Sequence, residues 1–337
     1  MKEIDLSIGA PKEPVSPAVI RALGEAKWQV GYPLAAGSES FNSAVVTWAK
    51  KTLDLSLETN QVMPVAGAKE FVGTLAWVLG LTESSTIAIP ELSYPTYQDG
   101  ARQIGARVVR YKTSEDLTKV EKIDLIWINS PNNPTGAILS EAELTSLLRV
   151  ASEKNAVIVS DETYIETAIE PVAPSAFALG QKLGINQLLG LYSLSKRNSL
   201  AAFRVGYALG TAELIERLVS VRRKLGLLAN SPATQVASEL LKDFTYPQKI
   251  REQFLQRSAI LLPALNAKGF KNYSPGGMFL WLSNGESGEL AMARFGELAI
   301  KVAPGSWYGP SGEKFIRISL TLTEAEAQDV ANRIASY

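Results

Sequence analysis

Residues 124–164 read DLIWINSPNNPTGAILSEAELTSLLRVASEKNAVIVSDETY, and this stretch decides the fold class. Its two ends, 124–129 (DLIWIN) and 156–160 (AVIVS), are short apolar runs without apolar–polar alternation, which predicts strands covered on both faces. Between them, Ser140 and Glu143 form an S-x-x-E capping pattern, and apolar residues follow at helical spacing through 155, which predicts a helix. A strand, a crossover helix and a second strand make a parallel unit. Working outward, the strand signature recurs at 86–90 (TIAIP), 107–111 (RVVRY) and 187–192 (QLLGLY). The expected fold is therefore α/β, with a large domain built on a mostly parallel sheet flanked by helices. Beyond Thr211 the pattern changes. A long helical run (211–226) precedes a second helix in which Ser231 and Pro232 read as N-cap and first-turn proline. Strand-like runs at 278–282 and 314–320 and a last helix from Thr323 complete a smaller α+β domain. The expected division is 31–215 for the large domain and 1–30 together with 216–337 for the small one.

Composition removes many chemistries. The chain has 337 residues, 46% hydrophobic and 20% charged, enough to bury a sizeable core. Lys plus Arg and Asp plus Glu each number 34, so no long-range field draws the protein to nucleic acid or to an acidic membrane, and neither is expected as a partner. The absence of cysteine excludes disulfides, thiolate nucleophiles and thiolate metal sites. The absence of histidine excludes Ser-His-Asp hydrolysis and imidazole-ligated metals, so no metal is expected. Acid–base work near neutral pH falls to a tuned Lys, Tyr or carboxylate, or to a cofactor. No apolar run reaches membrane-span length, and residues 1–14 carry no signal-peptide apolar region, so the expected location is cytoplasmic.

In parallel sheets ligands sit at the carboxyl ends of the strands, and four polar clusters fall there. Ser130-Pro131-Asn132-Asn133-Pro134-Thr135-Gly136 is a rigid turn from which Asn133 can present an amide; a plain β-to-α turn is the simpler reading. Asp161 and Tyr164 follow the strand ending at Ser160, where a buried acid calls for a cation unless it merely caps the next helix. Ser193, Ser195 and Lys196 follow 187–192, with Arg204 eight positions on. Without cysteine or histidine, Lys196 is the best candidate nucleophile. Ala66-Gly67-Ala68-Lys69 opens a helical run, whose free amide N–H groups can cup an anion. Neither G-x-x-x-x-G-K-[ST] nor G-x-G-x-x-G occurs, so nucleotide phosphate is not indicated and a nicotinamide dehydrogenase is disfavoured.

In this order the clusters resemble those of fold type I pyridoxal-phosphate (PLP) enzymes, specifically the class I/II aminotransferases, from Ser7-Ile8-Gly9-Ala10-Pro11 to Arg317. The resemblance implies the PLP-dependent transferase fold, with PLP as cofactor and an amino acid and a keto acid as substrates. It implies that Lys196 holds the cofactor as a Schiff base and later acts as base, that Asp161 faces the pyridine nitrogen, and that Tyr164 and Asn133 bond the ring oxygen. Ala68, Lys69, Ser193, Ser195 and Arg204 would bind the phosphate and Tyr94 would stack on the ring. Arg317 and Gly9, with Asn133, would bind the substrate. Tyr32, ahead of Gly37, would reach the neighbouring subunit's cofactor, so a homodimer is implied.

The run YSLSKRNSLAAFRVGY (192–207) is most similar to bacterial N-succinyldiaminopimelate aminotransferases of lysine biosynthesis, implying glutamate as donor and N-succinyl-2-amino-6-ketopimelate as acceptor. Transamination of another amino acid, a PLP-dependent C–S β-lyase and a regulatory protein that has kept the fold are the alternatives. Two departures stand out. Ala68 replaces a frequent Ser or Thr, and Ser40-Phe41 replaces a frequent Leu-Arg pair. For a distal substrate carboxylate, Lys12, Arg102 and Arg197 are the candidate cations.

Overall fold

The computed structural model describes residues 2–25, 31–168 and 173–336. Its main element is a seven-stranded sheet in the order Val62–Val65, Gly206–Leu209, Leu188–Ser193, Val157–Asp161, Leu125–Asn129, Thr86–Pro90, Arg107–Tyr111. The last five of these run parallel, whereas Gly206–Leu209 is antiparallel to both of its neighbours.

Alternation of side chains explains why the strands read as continuous apolar runs. Ile126 and Ile128 enter one hydrophobic core with Ile158, Leu188 and Trp48, while Leu125 and Trp127 enter another with Val159, Leu189 and Phe71. Each strand thus feeds a core on both faces. The crossover helix Glu141–Glu153 carries the expected capping box, with Ser140 Oγ accepting from the Glu143 amide and the Glu143 carboxylate accepting from the Ser140 amide at 2.8 Å.

The pair Val62–Val65 and Gly206–Leu209 was not anticipated. Each is only four residues long, one containing proline and the other opening on glycine, so neither shows a strand signature. Pro64 is tolerated because its strand lies at the sheet edge.

A four-stranded antiparallel sheet, in the order Ala303–Pro304, Ile316–Ser319, Phe279–Ser283, Lys271–Asn272, forms the second layer. Its core, including Leu280, Leu282, Ile316 and Ile318, packs against the helices Tyr246–Ala267 and Glu324–Ser336.

Two expectations need correction. The helix Ser231–Leu240 is capped by Asn230, whose Oδ1 accepts from the Ala233 amide at 2.8 Å, so the cap lies one residue earlier than Ser231. The division expected after residue 215 falls inside the helix Ala212–Leu225, whose Leu214, Ile215 and Leu218 share a core with the large sheet. Ala233, Val236 and Leu240 do the same on the other face, as does Val19 near the amino end. Amphipathic helices show that they bury one face but not which partner covers it. The expected boundary at residue 30 lies outside the described residues.

Candidate active site

Strand register sets the floor of the site. Asn129 and Asp161 are paired final residues of adjacent parallel strands, and Ser193 ends the next strand. Around them lies a cavity of about 540 Å³ lined by Gly9, Ala68, Lys69, Tyr94, Asn133, Asp161, Tyr164, Ser193, Ser195, Lys196, Arg204 and Arg317. The structure thus brings together every expected site residue except Tyr32, which is 89% exposed and off this cavity.

Asp161 is buried. Tyr97 Oη donates to its Oδ2 at 2.7 Å and the Thr163 amide to its Oδ1 at 3.1 Å. Asn129 Nδ2 fixes the backbone by donating to the Asp161 carbonyl at 2.9 Å. Burial pushes the carboxyl up from the ordinary aspartate range, while the Thr163 and Tyr97 bonds favour its ionised form. Among the described residues no cation pairs with it.

Arg317 lies on the strand Ile316–Ser319 and is 5% exposed. Its Nη1 donates to Asn133 Oδ1 at 2.7 Å and its Nη2 to the Ser7 carbonyl, while Nε has no partner among the described residues. The guanidinium carbon sits 4.3 Å from the Phe279 ring centre and 5.0 Å from that of Tyr308. No carboxylate among the described residues answers this buried charge, an arrangement costly unless an anion arrives.

The same contacts orient Asn133. A guanidinium only donates, so the amide oxygen faces Arg317 and the amide nitrogen donates to Tyr164 Oη at 3.2 Å. Tyr164 therefore keeps its own proton for another acceptor, and burial, the main influence, raises its pKa.

Lys196 stands on the short helix Leu194–Arg197, with its amine against the Gly9 carbonyl. Burial, then the charges of Arg317 and Arg204, lower its pKa to about 8. An amine of that pKa is far more often neutral near pH 8 than a surface lysine.

The helix Ala68–Val78 begins at Gly67 with no side-chain cap, leaving its first amides open to an anion. Gly67 has φ +84°, and a Cβ there would fall 2.3 Å from Arg204 Nη2. Glycine is thus required both for the backbone and for the close approach of the guanidinium. Gly67→Ala should lower affinity for a phosphate-bearing ligand about 10- to 100-fold, the equivalent of one charge-assisted hydrogen bond. Equilibrium dialysis with pyridoxal phosphate checks it.

The class I and II aminotransferase family profile matches residues 1–334. The chain belongs to this family. It is similar to a probable aminotransferase of Mycobacterium tuberculosis, with 36% identity over 98% of this chain and 80% of that protein. It is also similar to 4-dedimethylamino-4-oxo-anhydrotetracycline transaminase OxyQ of Streptomyces rimosus, at 35% identity over 98% of this chain and 92% of that one. Among solved structures, a probable N-succinyldiaminopimelate aminotransferase from Thermus thermophilus superposes with a TM-score of 0.89 at 27% identity, over 99% of this chain and 95% of that one. The fold is accordingly that of the type I PLP aminotransferases, and the cofactor of this aminotransferase is pyridoxal phosphate.

The residues fit that group. A flat cationic heterocycle answers the buried Asp161, which has no cation among the described residues, and a phosphate answers the open helix end that a Cβ on Gly67 would crowd.

Several lining residues escaped the sequence reading. Tyr97 carried a usable signal, lying one helical turn beyond Tyr94, and Asn129 another, as the last residue of a buried strand. Phe279, Trp307 and Tyr308 carried none, because they arrive from the second sheet and its loops. The candidate cations for a distal carboxylate do not line the cavity. Lys12 pairs with Glu326 at 3.0 Å on the surface. Arg197 is buried and pairs with Glu166 at 2.8 Å. Arg102 is exposed on the helix Pro95–Gln103.

Among the described residues no helix is long and apolar enough to cross a membrane, and no group of three or more Asp or Glu is placed to hold a metal.

Proposed function

We propose that this aminotransferase moves the amino group of L-glutamate to N-succinyl-2-amino-6-ketopimelate, as a homodimer in which Tyr32 completes the neighbouring site. The observation that carries the amino-acid reading is Arg317, a buried guanidinium with no counter-ion among the described residues, in the same cavity as the Lys196 amine. The choice of acceptor is supported by the likeness to the Thermus protein of that description. The dimer reading is supported by the outward-facing Tyr32 ring.

Bound pyridoxal phosphate supplies an electron sink for charge that develops at the substrate α-carbon. The chain's own residues do the rest. Asp161 holds a proton on the pyridine nitrogen, since a buried carboxylate and a buried cation are each tolerable only together. Tyr164 donates to the ring oxygen, its hydroxyl oriented by Asn133. The Ala68 and Lys69 amides, Ser193, Ser195 and Arg204 hold the phosphate, and Tyr94 covers one ring face. Arg317 grips the substrate α-carboxylate through two parallel bonds, fixing the α-carbon, with the Gly9 backbone close by. Lys196, once free, takes the α-proton as a general base. Its lowered pKa keeps it competent near neutral pH.

Arg317→Lys replaces the fork with a single point charge. It should raise KM for every amino donor about 10- to 100-fold while leaving the cofactor's absorbance spectrum in place. Steady-state kinetics and a spectrum of the loaded enzyme check it.

A donor and acceptor panel tests the function. Glutamate with the succinylated keto acid should give the fastest turnover, ahead of the acetylated analogue and of unacylated keto acids. Faster turnover with another keto acid removes the proposed acceptor. Release of pyruvate and ammonia from a sulfur amino acid, with no new amino acid formed, identifies a C–S lyase instead.

A further inference from the structure

We propose that the Glu166–Arg197 ion pair is a positioning device for the reacting amine, locking the turn that carries Lys196 to the turn that carries Tyr164. The proposal rests on Lys196 being that amine.

Arg197 follows Lys196 directly but points the opposite way, into the protein, and is 3% exposed. Its Nε donates to Glu166 Oε2 at 2.8 Å, its Nη1 to Asn198 Oδ1 and the Leu240 carbonyl, each at 2.9 Å, and its Nη2 to the Asp243 carbonyl at 2.8 Å. One planar group thereby ties the Lys196 turn to the end of the helix Ser231–Leu240. Glu166 lies two residues beyond Tyr164, in a turn closed by amide bonds from Thr167 and Ala168 to the Tyr164 carbonyl at 3.0 and 3.1 Å. Its Oε2 accepts a second bond, at 3.0 Å, from Nε1 of the buried Trp48. Trp48 in turn packs edge-on against Tyr192 and Tyr207. The carboxylate is therefore gripped between the core and Arg197.

A role in stability alone does not account for this arrangement, because buried ion pairs are rarely more stabilising than well-packed apolar residues. What the site needs is rigidity. The helix Leu194–Arg197 spans four residues, too few to hold itself, and the Lys196 side chain adds four rotatable bonds of its own. Anchoring the backbone at the very next residue fixes where the amine starts. The turn that carries Tyr164 is held by the same carboxylate, so the spacing of the two turns is set through one pair.

The test uses the full chain, with and without pyridoxal phosphate. Competitive acetylation of the unloaded protein by acetic anhydride across a range of pH, with the Lys196 peptide quantified, reads the environment of the amine. The wild type should titrate near about 8. In Arg197→Met the curve should move toward that of a free lysine, as the amine leaves the cavity for water. The loaded variant should show kcat lower by about 10- to 100-fold, the cost of small misplacement, with KM within about twofold. Arg197→Lys, which keeps the charge but reaches fewer acceptors, should lie between. Should Arg197→Met give no folded protein, Glu166→Gln carries the same test, since it keeps the shape and removes the charge. An acetylation curve at the wild-type position in either folded variant overturns the proposal, whatever happens to kcat. Failure of the underlying reading looks different, because borohydride would then mark no adduct at Lys196 in the wild type.

Discussion

Replacing Lys196 with alanine should lower transamination by at least about 10⁴-fold, combining loss of a positioned general base with loss of the covalent anchor for the cofactor. Among the described residues the cavity offers no substitute. The chain contains no histidine or cysteine, and the other cations lining the cavity are Lys69, Arg204 and Arg317. Lys69 is exposed at the helix start, and a guanidinium does not give up its proton near neutral pH. The measurement is turnover with glutamate together with borohydride reduction in the presence of pyridoxal phosphate and peptide mapping. The wild type should carry the reduced adduct at residue 196 and the variant should carry none. Persistence of both the trapped adduct and turnover in Lys196→Ala would mean that another amine does the chemistry.

Asp161→Asn should give the second largest loss, about 10²- to 10³-fold in kcat. An asparagine keeps the shape: its one amide oxygen can accept from the Thr163 amide, and its amide nitrogen can donate to the Tyr97 hydroxyl oxygen in place of the bond that Asp161 accepts, so the main change is the loss of charge. A carboxylate beside a protonated ring nitrogen raises that nitrogen's pKa by roughly 1–3 units. Without the carboxylate the ring nitrogen loses its proton at lower pH. The variant should therefore recover activity relative to the wild type as pH falls. A pH–rate profile checks this, and a variant profile parallel to that of the wild type would remove Asp161 from its proposed role.

The parallel part of the large sheet was legible at its strands because the relevant pattern is local. A buried strand such as Leu125–Asn129 reads as an apolar run whatever lies far away in the chain, and Ser140 with Glu143 caps a helix through bonds spanning three residues. The short pair Val62–Val65 and Gly206–Leu209 was not legible, because these strands exist by pairing with each other and with Leu188–Ser193. The division of the chain was misplaced for a similar reason, since only packing shows that Leu214 and Val236 belong under the large sheet.

The cavity divides the same way. Asn133, Asp161, Ser193 and Lys196 could be placed from sequence because each sits at or just beyond the carboxyl end of a recognisable strand, and parallel strands carry their ends to one edge. Arg197, one of three candidate cations for a distal carboxylate, does not line the cavity. Its neighbour Lys196 faces the cavity, but the guanidinium finds Glu166, 31 residues away, and direction along a short helix is not written in the residue names.

By itself, then, the amino-acid sequence determined the α/β alternation, the excluded chemistries and the identity of the groups gathered at the strand ends. These depend on short-range propensity and on which side chains exist at all. Only the tertiary structure decided the state of those groups: that Arg317 is buried with no counter-ion among the described residues, that it orients Asn133 across 184 residues of chain, and that burial lowers the pKa of the Lys196 amine. Charge state and orientation follow from burial and from the partner a group meets, and both are set by packing between segments that the chain itself holds far apart.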